Sequence, residues 1–163
     1  MFKRRQRGRG QRGVTLVELV AVTAVLAVMA SVALPVANTM LKRRKEVVLR
    51  RNLREIREAI DKFQFDTERY EGLKTQVLSA TNEEGYPEEL KWLYEGVDIG
   101  DAAGTKIKYL RRLPIDPMTG SDEWGTRSSR DEPGSLFSDG INIMDVYSLS
   151  EAVGLNDVPY SEW

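Results

Sequence analysis

The chain has 163 residues, a formal net charge of −1, and neither cysteine nor histidine. A chain of this length has room for one modest domain. Without those two residue types the chain cannot form disulfides or use thiol or imidazole chemistry, and it lacks the ligands of nearly all zinc sites. A bound metal would therefore need oxygen ligands.

Charge is distributed unevenly along the sequence. The first 13 residues contain six basic and no acidic side chains, whereas residues 63–163 contain nine basic and 20 acidic ones. Phosphate binding needs a basic face, so the acidic C-terminal part argues against nucleic acid as a partner. It favours cation binding or a solvated surface.

The first predicted element is an apolar helix over residues 14–41, in which Glu18 is the single ionisable side chain. Its 28 residues correspond to roughly 42 Å of helix, enough to cross a hydrocarbon core of about 30 Å. We therefore predict a single transmembrane helix. Pro35 lies deep within it and predicts a kink or a locally melted stretch.

The natural cleavage point precedes this helix, whereas an ordinary secretory signal is cut after its apolar stretch. Gly13 separates a basic leader, residues 1–13, from the apolar segment. Cleavage after Gly13 would free the amine of Val14 and make Glu18 the fifth mature residue. A carboxylate near the membrane interior costs at least about 2.5 kcal/mol, so Glu18 needs a partner. Either its own or a neighbouring Val14 amine could serve, or Glu18 could snorkel to the interface.

Residues 12–19, RGVTLVEL, resemble the processing site of type IV pilins and type II secretion pseudopilins. The resemblance implies that a prepilin peptidase cuts between Gly13 and Val14 and that Val14 is then N-methylated. It implies that Glu18 recognises the Val14 amine of an adjacent subunit during assembly. It also implies storage in membrane lipid, extraction by an inner-membrane assembly platform, and packing with further copies and other pseudopilins into a filament.

The topology is predicted from the cleavage site, because six basic residues precede the apolar segment and six follow it closely. We expect a single-pass protein of the cell inner membrane, with its N-terminus cytoplasmic and its head periplasmic. After assembly the filament would lie in the periplasm.

An amphipathic stalk helix is predicted for residues 42–66. Its apolar residues recur at spacings of four, three, four and three, and so share one helical face: Leu49, Leu53, Ile56, Ile60 and Phe63. Packing of this face on the chain's own sheet is favoured over a coiled coil, because little more than two heptads are present. RNA binding by its arginines is a weak alternative, given the acidic head.

Residues 67–163 are predicted to form a globular head. We expect a connection with about one helical turn over residues 71–85, and then a short helix that Pro87 opens and that ends near Gly96. Strands near residues 106–110, 124–128 and 141–148 would form one small antiparallel sheet on the stalk. The predicted fold class is therefore α+β, and the resemblance makes it type IV pilin-like.

Two head segments resemble the major, G-type pseudopilins of type II secretion. They are residues 108–120 (KYLRRLPIDPMTG), followed by Trp124, and residues 145–148 (DVYS). In that family the loop after the second segment binds calcium. Here Glu151, Asn156 and Asp157 would be ligands, with backbone and water completing the six to eight oxygens that calcium takes. The alternatives are an ordinary surface loop and a loop held by the aromatic tail, residues 160–163.

These features favour a structural function, as a subunit of a type II secretion pseudopilus whose growth drives protein export across the outer membrane. One alternative is a type IV pilin for adhesion or twitching, although many such pilins close a loop with a disulfide. Another is a monomeric, membrane-anchored binding module. Paired carboxylates such as Glu83-Glu84 are better explained as solvated charge than as acid–base pairs, so we expect no enzymatic activity.

Overall fold

The structure, a computed structural model, describes residues 13–79, 82–132, 134–135 and 137–163, without the side chains of Val32 and Leu34. The predicted leader lies outside the described residues except for Gly13. The chain is α+β, with one long N-terminal helix followed by short helices and small antiparallel sheets. It divides into two structural units, Met1–Leu41 and Lys42–Trp163.

Helix α1, Leu16–Arg69, has 54 residues. Among the described residues it is the one helix long and apolar enough to cross a membrane, and its most apolar window has a mean hydropathy of 2.5. Helical turns continue on both sides of Pro35. The helix is therefore not melted at this proline, and of the two forms of the prediction the kink stays a prediction.

The second half of α1 packs within the head. The predicted apolar face is confirmed, because Leu49, Leu53, Ile56, Ile60 and Phe63 are all at most 2% exposed. They form one core with residues of later elements, including Leu73, Leu93, Val146 and Tyr160. The stalk thus packs on the chain's own head, although its partners come from short helices as well as from β4 and not from a sheet alone. Helix α1 ends three residues beyond the predicted boundary.

Among the described residues, two further α-helices follow α1. Helix α2, Glu71–Val77, is longer than the single turn expected. Leu73 and Val77 lie four residues apart on one face of this helix, and their burial in the core stabilises its second turn. Helix α3, Lys91–Glu95, starts later than Pro87 suggests. The Pro87 carbonyl instead accepts a hydrogen bond from the Ile143 backbone N–H at 2.7 Å. As predicted, α3 ends at Gly96, whose φ of 91° lies in the left-handed region.

Within the described part of the chain, the strands form two separate two-stranded antiparallel sheets. Strand β1, Val97–Asp98, pairs with β2, Lys106–Ile107, and strand β3, Gly125–Arg127, pairs with β4, Asp145–Tyr147. The prediction of one sheet containing all three expected strands is therefore wrong. Strand β2 pairs with β1, which the sequence pattern did not indicate. A 3₁₀-helix, Tyr160–Glu162, follows β4.

Candidate functional site

The predicted processing and assembly residues lie at the start of α1. Val14 precedes the helix and is 72% exposed. Thr15 caps it, because its Oγ1 accepts a hydrogen bond from the backbone N–H of Glu18 at 3.2 Å. Thr15 and Glu18 have the spacing of a capping box, a sequence signal that would have located the start of α1.

Glu18 is exposed in the first turn of α1, where a negative charge is favourable near the helix N-terminus. Its carboxylate has no hydrogen-bond or ion-pair partner in the part of the chain that the structure describes. A carboxylate in this position can pair with a cationic group supplied from outside the chain. The geometry leaves open the role that the resemblance implies for Glu18.

The predicted calcium ligands lie in a loop that closes on itself. The Gly154 N–H donates to the Val158 carbonyl at 2.8 Å, and Val153 and Pro159 form an isolated antiparallel bridge. Glu151, Asn156 and Asp157 are exposed, and the Asn156 side-chain oxygen accepts a hydrogen bond from the Val158 N–H at 3.4 Å. The loop backbone is thus largely satisfied by its own hydrogen bonds.

The ligand set for calcium is sparse. No three His, Cys, Asp or Glu side chains form a group that could hold a metal ion among the described residues. The loop offers two carboxylates and one amide, whereas calcium takes six to eight oxygens. These side chains fall short of a calcium site unless backbone carbonyls and water supply most of the ligands.

Glu46, a residue that the sequence pattern did not single out, holds this loop from α1. It is 8% exposed, and its Oε1 accepts hydrogen bonds from the Leu155 backbone N–H at 2.7 Å and from the Tyr160 hydroxyl at 3.0 Å. Burial of Tyr160, and then its hydrogen bond to Glu46, raise the pKa of Tyr160 to about 12. Glu46 lies three residues before Leu49, so extending the apolar spacing by one step would have placed it on the buried face.

Asp145, the first residue of the DVYS segment, joins three parts of the head. Its Oδ1 accepts a hydrogen bond from Arg57 Nε of α1 at 2.6 Å, and its Oδ2 lies 3.4 Å from Arg127 Nη1 of β3. Arg57 also donates to the Trp163 backbone oxygen at 2.7 Å. The guanidinium of Arg50 lies over the Trp163 ring, 4.2 Å from its centre. The aromatic tail is thus anchored on α1.

The two segments that resemble pseudopilins meet at Asp116, which is fully buried. One of its oxygens accepts from the Met118 backbone N–H at 2.7 Å, and the other accepts from the Ser148 hydroxyl at 2.6 Å. The indole N–H of Trp124 donates to the Pro114 carbonyl at 2.9 Å. These motif residues hold a turn and a strand together, which is a structural rather than a chemical task.

Comparison of the chain with protein-family models, with curated proteins and with solved structures yields no match.

Proposed function

We propose that this chain is a structural subunit of a type II secretion pseudopilus, a helical filament that drives protein export across the outer membrane. The observation that supports this proposal most strongly is the combination of Gly13 and Val14 just before α1 with a Glu18 carboxylate in its first turn that has no partner among the described residues. Cleavage there would give each subunit one free amine and one carboxylate. Paired between neighbours, the two charges would neutralise each other in an apolar filament core.

The surface of the apolar part of α1 suits a subunit that moves from the membrane into the core of a filament, two environments that are both apolar. Its large side chains are exposed, among them Leu16, Val25 and Met29. In the membrane they would contact lipid, and in the filament they would contact the same helices of other subunits. Little apolar surface would then be exposed to water during the transfer.

The head suits the same proposal because it has a core of its own. Buried apolar residues of α1 contribute to this core together with residues from later elements: Leu73, Val77, Leu93, Leu110, Trp124, Ile143, Val146 and Tyr160. A head with such a core can fold before assembly and decorate a growing filament. In this proposal the chain is not an enzyme, and its partners are the prepilin peptidase, the assembly platform, other pseudopilins and membrane lipid.

The N-terminus of the membrane-extracted protein tests the processing step. We expect the mass and N-terminal sequence to begin at methylated Val14, with the head facing the periplasm. An intact Met1 on protein from cells that contain a prepilin peptidase would contradict the proposal.

The variant Glu18→Ala tests the charge pairing. We expect normal processing but loss of filaments, seen by electron microscopy of sheared or overproduced material, because the Val14 amine would lose its partner. Glu55→Ala is the matched control, since Glu55 is an exposed acid of the same helix without a described ion pair. Normal filaments from Glu18→Ala would refute the pairing.

A further inference from the structure

Four consecutive basic residues, Lys42, Arg43, Arg44 and Lys45, follow the apolar segment directly. Arg43, Arg44 and Lys45 are exposed, and Lys42 is half-buried. None of the four forms an ion pair with the residues that the structure describes. The first acid after them, Glu46, turns into the head and accepts hydrogen bonds there. The four positive charges are therefore not neutralised locally.

The charges of residues 42–45, here called the collar, form a ring around the helix and not a stripe along one of its faces. All four residues lie in α1, and successive residues of an α-helix point roughly 100° apart, so four in a row surround the helix. A protein surface approaches a helix from one side and would reach only some of these groups. A layer of lipid headgroups surrounds the helix and can contact all four.

In a membrane-spanning α1, the number of residues between Glu18 and the collar would put the collar at a membrane surface. The 23 residues from 19 to 41 carry no ionisable side chain. A helical segment of that length covers roughly 35 Å, slightly more than the hydrocarbon core of about 30 Å. With Glu18 near one headgroup layer, the collar would reach the other.

We propose that residues 42–45 bind the phosphates of anionic phospholipids and thereby set the depth of the stored subunit in the membrane. This inference rests on the membrane-anchored state in the proposed function. After removal of the leader, the collar is the basic cluster that adjoins the apolar segment. Lysine and arginine next to a span are attracted to anionic headgroups, each by about fivefold in affinity.

The test uses the full chain in nanodiscs of equal parts phosphatidylcholine and phosphatidylglycerol. The protein is released intact, and the lipids that it retains are identified by native mass spectrometry. We expect the wild-type chain to retain phosphatidylglycerol preferentially. In the quadruple variant Lys42→Gln, Arg43→Gln, Arg44→Gln, Lys45→Gln, the ratio of retained phosphatidylglycerol to phosphatidylcholine should fall by about tenfold or more.

Two variants control for folding and for net charge. Exchanging lysine and arginine at the four positions keeps the charges and should keep the preference. A second control replaces four exposed basic residues of the head that form no ion pair with the described residues. Glutamine at these positions removes the same charge elsewhere and should leave the preference unchanged: Lys106, Lys108, Arg111 and Arg112. Loss of preference in this head variant would overturn the assignment to the collar.

Filament formation, measured on the same variants, separates this inference from the proposed function. A wild-type preference for phosphatidylglycerol in a chain that never forms filaments supports the collar while contradicting the pseudopilus. Equal retention of both lipids by the wild type overturns the collar, whatever the filaments do. If the collar variant also fails to assemble in that case, the basic residues contact an acidic surface of a second subunit instead.

Discussion

Among single residues, Glu46 illustrates how a buried acid can be tolerated in a small core. Its oxygen Oε1 satisfies the Leu155 N–H and the Tyr160 hydroxyl, groups that lie 109 and 114 positions away along the chain. Hydrogen bonds to a charged acceptor are stronger than neutral ones. One side chain of α1 thereby fixes both the C-terminal loop and the aromatic tail.

We expect Glu46→Ala to lower the free energy of unfolding of the head by roughly 2–4 kcal/mol, because the buried Tyr160 hydroxyl and the part-buried Leu155 N–H lose their acceptor. Glu46→Gln retains an oxygen acceptor and should cost less. The measurement is urea unfolding of the full chain in detergent, followed by tryptophan fluorescence. Exposed Glu55→Ala should remain within about 0.5 kcal/mol of wild type, and an equal loss in both variants would contradict this role of Glu46.

The sequence pattern predicted the buried apolar face of α1, but it identified neither Glu46 nor the groups that Glu46 binds. Helical spacing alone identified Leu49, Leu53 and Ile56 as buried, because an amphipathic helix repeats its apolar face locally. The partner of Glu46 could not be read in the same way. It depends on how a distant loop folds back, which no local period of the sequence records.

At the scale of elements, short strands were the weakest predictions. Strand β1 has two residues between Gly96 and Gly100, which both have positive φ. Two residues cannot show the alternation that marks a strand, so β1 was missed and β2 was assigned to the wrong sheet. By contrast, α1 extends over many turns, and its type and apolar face were predicted correctly.

The C-terminal loop, residues 149–160, is held by contacts that need no metal: the hydrogen bond from Gly154 to Val158, the bridge from Val153 to Pro159, and Glu46. The resemblance predicted three residues of this loop as calcium ligands, but the sequence did not indicate how the loop closes. Calcium binding by Glu151, Asn156 and Asp157 thus stays a prediction, with a direct competitor in the closed loop.

Because the loop is closed by these contacts, we expect a calcium chelator to leave the melting temperature of the full chain unchanged. Differential scanning fluorimetry with and without chelator, and then with added calcium, measures this. A magnesium addition of equal ionic strength controls for salt. A melting temperature that falls with chelator and recovers only with calcium would restore the predicted metal site.

At the scale of the whole molecule, charge and hydropathy divide the sequence into parts suited to different surroundings. An apolar segment follows the basic residues 1–13, and residues 63–163 contain 20 acidic and nine basic side chains. The coarse fold and the apolar helix were predictable because both depend on composition over many residues. The exact pairing of acids with bases, such as Arg57 with Asp145, was not, since it depends on long-range packing.

Alkaline pH should destabilise the head, because several of its tyrosines are held in the neutral form. Burial is the first cause that raises the pKa of Tyr160, to about 12, and it also raises the pKa values of Tyr86 and Tyr109. Between pH 10 and about 12 the unfolded chain loses the Tyr160 proton while the folded chain keeps it. The folded state then binds more protons, so its stability is complete below pH 10 and falls as the pH rises.

We therefore expect the free energy of unfolding of the full chain in detergent to decrease steadily from pH 10 to about 12, as measured by urea titrations at intervals across this range. Tyr160→Phe removes the hydroxyl, so this variant should be less stable at neutral pH but should lose less stability between those two pH values. Tyr94→Phe is the control, because Tyr94 has no side-chain hydrogen bond described in the head and should keep the wild-type slope. A Tyr160→Phe slope as steep as that of the wild type would show that the buried hydroxyl does not cause the alkaline loss.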